Sequence, residues 1–169
     1  MELQIPNPLL DVTMLNPGDL LELTGKIYVG RDAVLPKIVE LSRGNGLEQM
    51  KIDLQGSVIF HSAVSVAGIG PTTSNKVEIE ESIVPLSKAG VKIHLGKGEI
   101  MPETIKRLKG ENAIFAVIPP VTALIKSKVI KVKMVAFPEL GMEAFHEITV
   151  QKLPCMVAAV NGVSIYKER

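Results

Sequence analysis

Leu20-Leu21-Glu22-Leu23-Thr24-Gly25-Lys26-Ile27-Tyr28-Val29-Gly30 alternates apolar and polar side chains, and Arg31-Asp32 then opens a stretch in which the apolar period changes. Leu21, Leu23, Ile27 and Val29 share one face of an extended chain, and Glu22, Thr24, Lys26 and Tyr28 share the other, which predicts a half-buried strand. Beyond Gly30, Val34, Ile38 and Leu41 recur at helical spacing up to Gly44. Pro36 fits such a helix only in its first turn.

The strand-then-helix order repeats along the chain. Ser57 to Phe60 reads as a strand, and a Gly/Ser/Thr-rich segment leads to an acidic helix start at Glu78, Glu80 and Glu81. That helix stops at Gly90, with Pro85 expected to kink or shorten it. Val91 to Leu95 is a short strand, Pro102 to Gly110 a punctuated helix and Ile114 to Ile118 a buried strand. A helix-like Val121 to Ile125 precedes Val129 to Ala136, whose lysines at 131 and 133 mark an edge strand. Glu147 to Val150 and Met156 to Val160 are two further strand candidates, and Asn161-Gly162 is a strong hairpin signal. The hairpin requires antiparallel neighbours, so the expected class is α/β with a mixed sheet. No repeat or compositional linker divides residues 1–169, which read as one domain.

Composition limits the function classes. The 169 residues are 46% hydrophobic, enough for a packed core, and 19 Lys+Arg against 18 Asp+Glu offer no basic excess for a nucleic acid or an anionic membrane. One cysteine, Cys155, is too few for an internal disulfide, a structural zinc site or an iron-sulfur cluster. No metal ligand set is expected in this chain, because His61, His94 and His146 are scattered. The N-terminus lacks a signal-peptide pattern and the apolar run from Ala113 to Ile125 is broken by Pro119-Pro120, so the cytoplasm is the expected compartment.

Chemistry concentrates at loops. Between Leu54 and Asn75 no residue carries a formal charge, yet Gly68-Ile-Gly70-Pro-Thr72-Thr73-Ser74 would present N–H groups and hydroxyls ahead of a helix, as an anion cradle does or as an ordinary capped turn does. Gly30-Arg31-Asp32 and Gly96-Lys97-Gly98 put cations at strand ends. Arg31 could instead pair with an acid, Asp32 reads as a helix cap, and Lys97 could be a solvated turn lysine. With Lys76 they make three cations suited to a small dicarboxylate. Walker and dinucleotide patterns fail: Leu20 stands where the first Walker glycine belongs, and Gly68-x-Gly70 lacks a third glycine. His94 reads as a core histidine.

Pro17-Gly18-Asp19, Thr24 to Ala33, Gly70-Pro71-Thr72-Thr73-Ser74, Gly96-Lys97-Gly98 and Pro138-Glu139-Leu140-Gly141-Met142-Glu143-Ala144 occur in an order that resembles the β part of class I fumarases and L-tartrate dehydratases. The resemblance implies a swivelling β/β/α domain that works with an α part, whose cysteines hold a four-iron, four-sulfur cluster (4Fe-4S). It implies a β subunit that hydrates fumarate reversibly to L-malate only together with that α subunit, in a hetero-oligomer, or as a homodimer when isolated. It implies Thr72 at the proton-transfer position and Arg31, Thr73, Lys76 and Lys97 on the substrate carboxylates. Lys76 stands where the family commonly has Arg, and the loop before Gly70 is short, so a tartrate or other hydroxy-diacid dehydratase, or a noncatalytic dicarboxylate-binding module, stays open as an alternative.

Overall fold

The computed structural model describes residues 1–65, 68–69, 76–119 and 121–166, with side chains left undescribed for 76–79. In chain order the elements are β1 (Glu2–Ile5), β2 (Leu20–Gly30), α1 (Leu35–Ser42), α2 (Gly46–Gln49), β3 (Val58–His61), β4 (Val64–Ser65), β5 (Gly68–Ile69), α3 (Lys76–Lys88), β6 (Ile93–Gly96), α4 (Pro102–Lys109), β7 (Ile114–Val117), α5 (Thr122–Lys128), β8 (Val129–Ala136), β9 (Phe145–Val160) and β10 (Val163–Ser164).

The α/β class and the mixed sheet are as expected. β2, β3, β6 and β7 run parallel in that order, and β9 is antiparallel to both β7 and β2. Because Met156 of β9 faces Val117 on one side and Leu20 on the other, β9 closes the five strands into a barrel. The apolar face of β2 fills that barrel: Leu21, Leu23, Ile27 and Val29 are each at most 1% exposed and join Val58, Phe60, Leu95, Ile114, Ile148 and Val157 in one core. Helices cover the outside. Val34, Leu35 and Ile38 pack with Ile59, Leu86 and Phe145, and Ile105 and Leu108 of α4 pack with Ile83 and Phe115.

Several expectations change. The two C-terminal strand candidates are a single strand, β9, because a bulge opposite Leu23 and Gly25, with Lys152 at φ 51°, absorbs the polar break between them. α3 runs through Pro85 to Lys88, close to the expected stop at Gly90, so Pro85 does not shorten it. Asp32 does not cap α1, whose N-cap is Val34 with no side-chain hydrogen bond. The hairpin forms as predicted, with Val160 opposite Val163 and both Asn161 and Gly162 at positive φ.

Candidate functional site

The parallel strands end level with one another. Gly30 pairs with His61, Phe60 with Leu95 and Gly96 with Val117, so Gly30, His61, Gly96 and Val117 form one row across the carboxyl edge. Arg31 and Lys97 each follow the row by one residue and lie two strands apart, roughly 10 Å between Cα atoms from a strand spacing of about 4.8 Å. The carboxyl edge of a parallel sheet is where open α/β folds place ligands, since the chain leaves each strand there without a helix in the way. α3 returns directly from Lys88 to β6 at the opposite edge, so its first residue, Lys76, starts on the same side as Arg31 and Lys97. The side chain of Lys76, and Thr72 and Thr73 altogether, lie outside the described residues.

Arg31 does pair with an acid, although a distant one. Its Nε and Nη2 both donate to Oε1 of Glu143, which ends a 3-10 turn over Pro138–Glu143. That hydrogen bond raises the guanidinium pKa further above its ordinary value, against an opposing effect of burial, and the charges of Glu143 and Asp32 add to the rise. Asp32 beside it has Oδ1 buried without a hydrogen-bond partner.

Beneath the row lies a chain of neutral imidazoles. Ser87 Oγ is 2.8 Å from Ile83 O and 2.8 Å from His94 Nε2, while His94 Nδ1 is 3.0 Å from His61 Nε2. The single hydroxyl proton of Ser87 goes to the carbonyl, so His94 carries its proton on Nε2 and donates to Ser87. His94 Nδ1 is then the acceptor, and His61 donates from Nε2. The remaining nitrogen, His61 Nδ1, is buried and has no partner. Burial lowers the His61 pKa to about 4 and that of His94 well below its ordinary value, with His61 adding to the second shift. His94 is thus a core histidine, as expected, though it belongs to a network that spacing did not reveal.

Lys97 sits on an exposed bend, and the loop it begins is tied to α3. Glu80, only 5% exposed, accepts from the backbone N–H of Met101 at 2.6 Å. The acid expected to solvate the start of the helix is instead a buried strut between α3 and the Lys97 loop. A cavity of about 700 Å³ opens beside Lys97, walled by Leu20, Leu21, Ile118, Pro154 and Met156.

The described residues do not fit a metal cluster. Among the described residues no group of three or more His, Cys, Asp or Glu is arranged to hold a metal ion, and the Cys155 thiol is buried with its pKa pushed up to about 12. Among the described residues no helix is long and apolar enough to cross a membrane.

Comparison with known proteins gives this edge a context. A protein of Methanocaldococcus jannaschii provisionally named L(+)-tartrate dehydratase subunit beta is 33% identical over 94% of this chain and 87% of its own length. The L(+)-tartrate dehydratase subunit beta of Escherichia coli is 30% identical over 78% of this chain and 68% of its own length. A class I, aerobic fumarate hydratase of Salmonella typhimurium is 28% identical over 81% of this chain, which matches only 25% of that longer protein. The fumarase C-terminus family matches residues 1–169 from end to end, and the chain belongs to it.

Proposed function

We propose that this chain is the β-type half of a hydro-lyase that interconverts fumarate and L-malate, working with an α-type subunit that carries a 4Fe-4S cluster. The observation that supports it is the common strand edge of Arg31 and Lys97, in a chain of this family. Two cations roughly 10 Å apart at their Cα atoms suit a ligand with a carboxylate at each end, since long cationic side chains reach inward from such a spacing. In the dehydration direction a proton leaves the carbon next to one carboxylate, and the hydroxyl on the neighbouring carbon leaves as water. Negative charge builds on that carboxylate, where Lys97 stabilises it more as the reaction advances, while Arg31 holds the other carboxylate, whose charge does not change. Thr72, in the hydroxyl-rich segment before α3, is proposed at the proton-transfer position, with Thr73 and Lys76 beside it. A threonine is a weak base alone, so the partner must supply a carboxylate or equivalent group to move the proton.

The test is reconstitution with an α-type chain. The assembled protein should hydrate fumarate, with Lys97→Ala lowering kcat/KM by roughly a hundredfold or more, as expected when a charge-assisted contact is removed. Thr72→Ala should abolish turnover while leaving assembly intact. Full activity in either variant overturns the corresponding role, and no activity on any hydroxy-diacid overturns the proposal. A second reading has its own support: the relatives from Methanocaldococcus jannaschii and Escherichia coli carry the tartrate dehydratase name. Parallel assays with L-tartrate and L-malate separate the two.

A further inference from the structure

We infer that Glu143 is a positioning residue that aims the Arg31 guanidinium at the substrate carboxylate; this rests on the proposed function above. Glu143 belongs to the Pro138-Glu-Leu-Gly-Met-Glu143-Ala segment, which supplies none of the proposed substrate contacts.

The geometry of the pair is fixed from both sides. Arg31 follows Gly30, where an added Cβ would lie 2.8 Å from Val34, 3.1 Å from Leu35 and 3.2 Å from Phe145. Phe145 is therefore packed directly on the strand end that carries the arginine. Phe145 is fully buried and stacks on Tyr28 of β2 with ring centroids 5.0 Å apart. Glu143 lies two residues before it, on a turn closed by the Ala144 N–H donating to Gly141 O. That turn contains Gly141 at φ 59° and ψ −119°, a backbone shape that favours glycine, so the direction of Glu143 is set by the chain fold. One aromatic anchor thus holds acid and base at a constant offset, although 112 residues separate them.

A free arginine side chain samples many rotamers, and a carboxylate on its Nε–Nη2 edge selects one plane for the guanidinium. Fixing that plane fixes where the Nη1 edge points. Both side chains are about a quarter exposed, at 23% and 24%, so the pair is neither a solvated surface contact nor sealed away from a ligand. Oε2 of Glu143 is buried without a hydrogen-bond partner, and both donors converge on Oε1. Oε1 thus accepts from two nitrogens on one edge of the same guanidinium, which ties that edge to Glu143.

The consequence is kinetic. Arg31 grips a carboxylate that is present in both ground and transition states, so misaiming it weakens substrate and transition state alike. In the reconstituted complex, Glu143→Ala should raise KM for the dicarboxylate by about 10- to 100-fold with kcat kept within about threefold. Glu143→Gln keeps an acceptor in the same volume and should raise KM by less than about tenfold. The Arg31→Ala, Glu143→Ala double variant should be no worse than Arg31→Ala alone, the signature of residues acting as a unit. In the isolated full chain, the Arg31 Nε–H resonance should be protected from solvent exchange in the wild type and lose that protection in Glu143→Ala.

An unchanged or lowered KM in Glu143→Ala overturns the inference, because it would make Glu143 a bystander or a competitor for Arg31. So does a double variant whose losses multiply. If Glu143→Ala fails to fold, Glu143→Gln carries the test, and a KM raised as far as in Arg31→Ala would then count against positioning through an acceptor. Full turnover in Arg31→Ala would instead overturn the substrate-gripping role of Arg31, while the resonance of Arg31 still reports whether Glu143 orients it.

Discussion

His61 Nε2 lies 3.0 Å from His94 Nδ1, and both rings are buried, so the carboxyl edge of the barrel rests on two imidazoles that must stay uncharged. Their pKa values are depressed, His61 to about 4 and His94 well below the ordinary value, which means the unfolded chain binds protons that the folded chain refuses. The stability from this refusal is complete above about pH 6.5 and is lost as the pH falls from there toward 4. Urea unfolding should therefore show a stability that falls as the pH is lowered from about 6.5 toward 4.5, by on the order of 1 kcal/mol per pH unit or more. Replacing His61 with Gln removes one contributor and should make the fall shallower. A flat profile between pH 6.5 and 4.5 would mean that the pair is protonated, or solvated, in the folded protein.

Gly25 sits at φ 129° in the middle of β2, and a Cβ there would stand 1.9 Å from the carbonyl oxygen of Ile5 in β1. Neither the backbone angle nor the neighbour can adapt cheaply, because Ile5 is paired with Gly25 in the parallel β1–β2 register. Gly25→Ala should cost on the order of 3 kcal/mol or more, or give insoluble protein. A wild-type urea midpoint would show that β1 is free to move off the barrel.

Strand β2 was legible because one of its faces meets the core and the other meets solvent or polar neighbours, which writes the period into Leu21 to Val29. β9 was not. Gln151, Lys152 and Pro154 interrupt its apolar pattern where the strand bulges, so the continuous 16 residues read as two pieces. Barrel closure was equally hidden, since it depends on Met156 facing Leu20 and Val117 at once, and a pairing partner leaves no local mark.

The site shows the same division. Arg31 and Lys97 were visible because each stands at the end of a predicted strand beside glycine, which is a local signature. Glu143 lies in a segment with a recognisable pattern, but its partner leaves no local mark, because the contact spans 112 residues. Asp32 stands where position alone suggests a cap, but the helix starts after Val34, two residues further on. The two histidines, far apart in sequence, come together only through the parallel pairing of β3 with β6.

Glu80 offers a test of how firmly the Lys97 loop is held. Its bond to the Met101 N–H, at 2.6 Å, is the strut between α3 and that loop, and the rest of the carboxylate is buried. Glu80→Ala leaves the amide without this acceptor, so hydrogen exchange at Met101 should speed by at least about tenfold, with an overall loss of about 1–3 kcal/mol. Unchanged exchange at Met101 would assign the order of the loop to other contacts.

Cys155 tests the integrity of the barrel itself. The residue is 3% exposed on β9, beside Leu21 and within the interior core, and burial pushes its thiol pKa up to about 12. A thiol must be ionised and reachable to react, and this one is neither at neutral pH. Labelling by a thiol reagent at pH 8 should therefore proceed only through opening of the fold, at least about a hundredfold slower than in urea-unfolded chain. The rate should rise in step with destabilisation by Gly25→Ala, because Gly25 and Cys155 share the β2–β9 ladder. Rapid labelling of the native chain would show instead that the β2–β9 seam opens locally, and that the cavity beside Lys97 reaches the sulfur from outside.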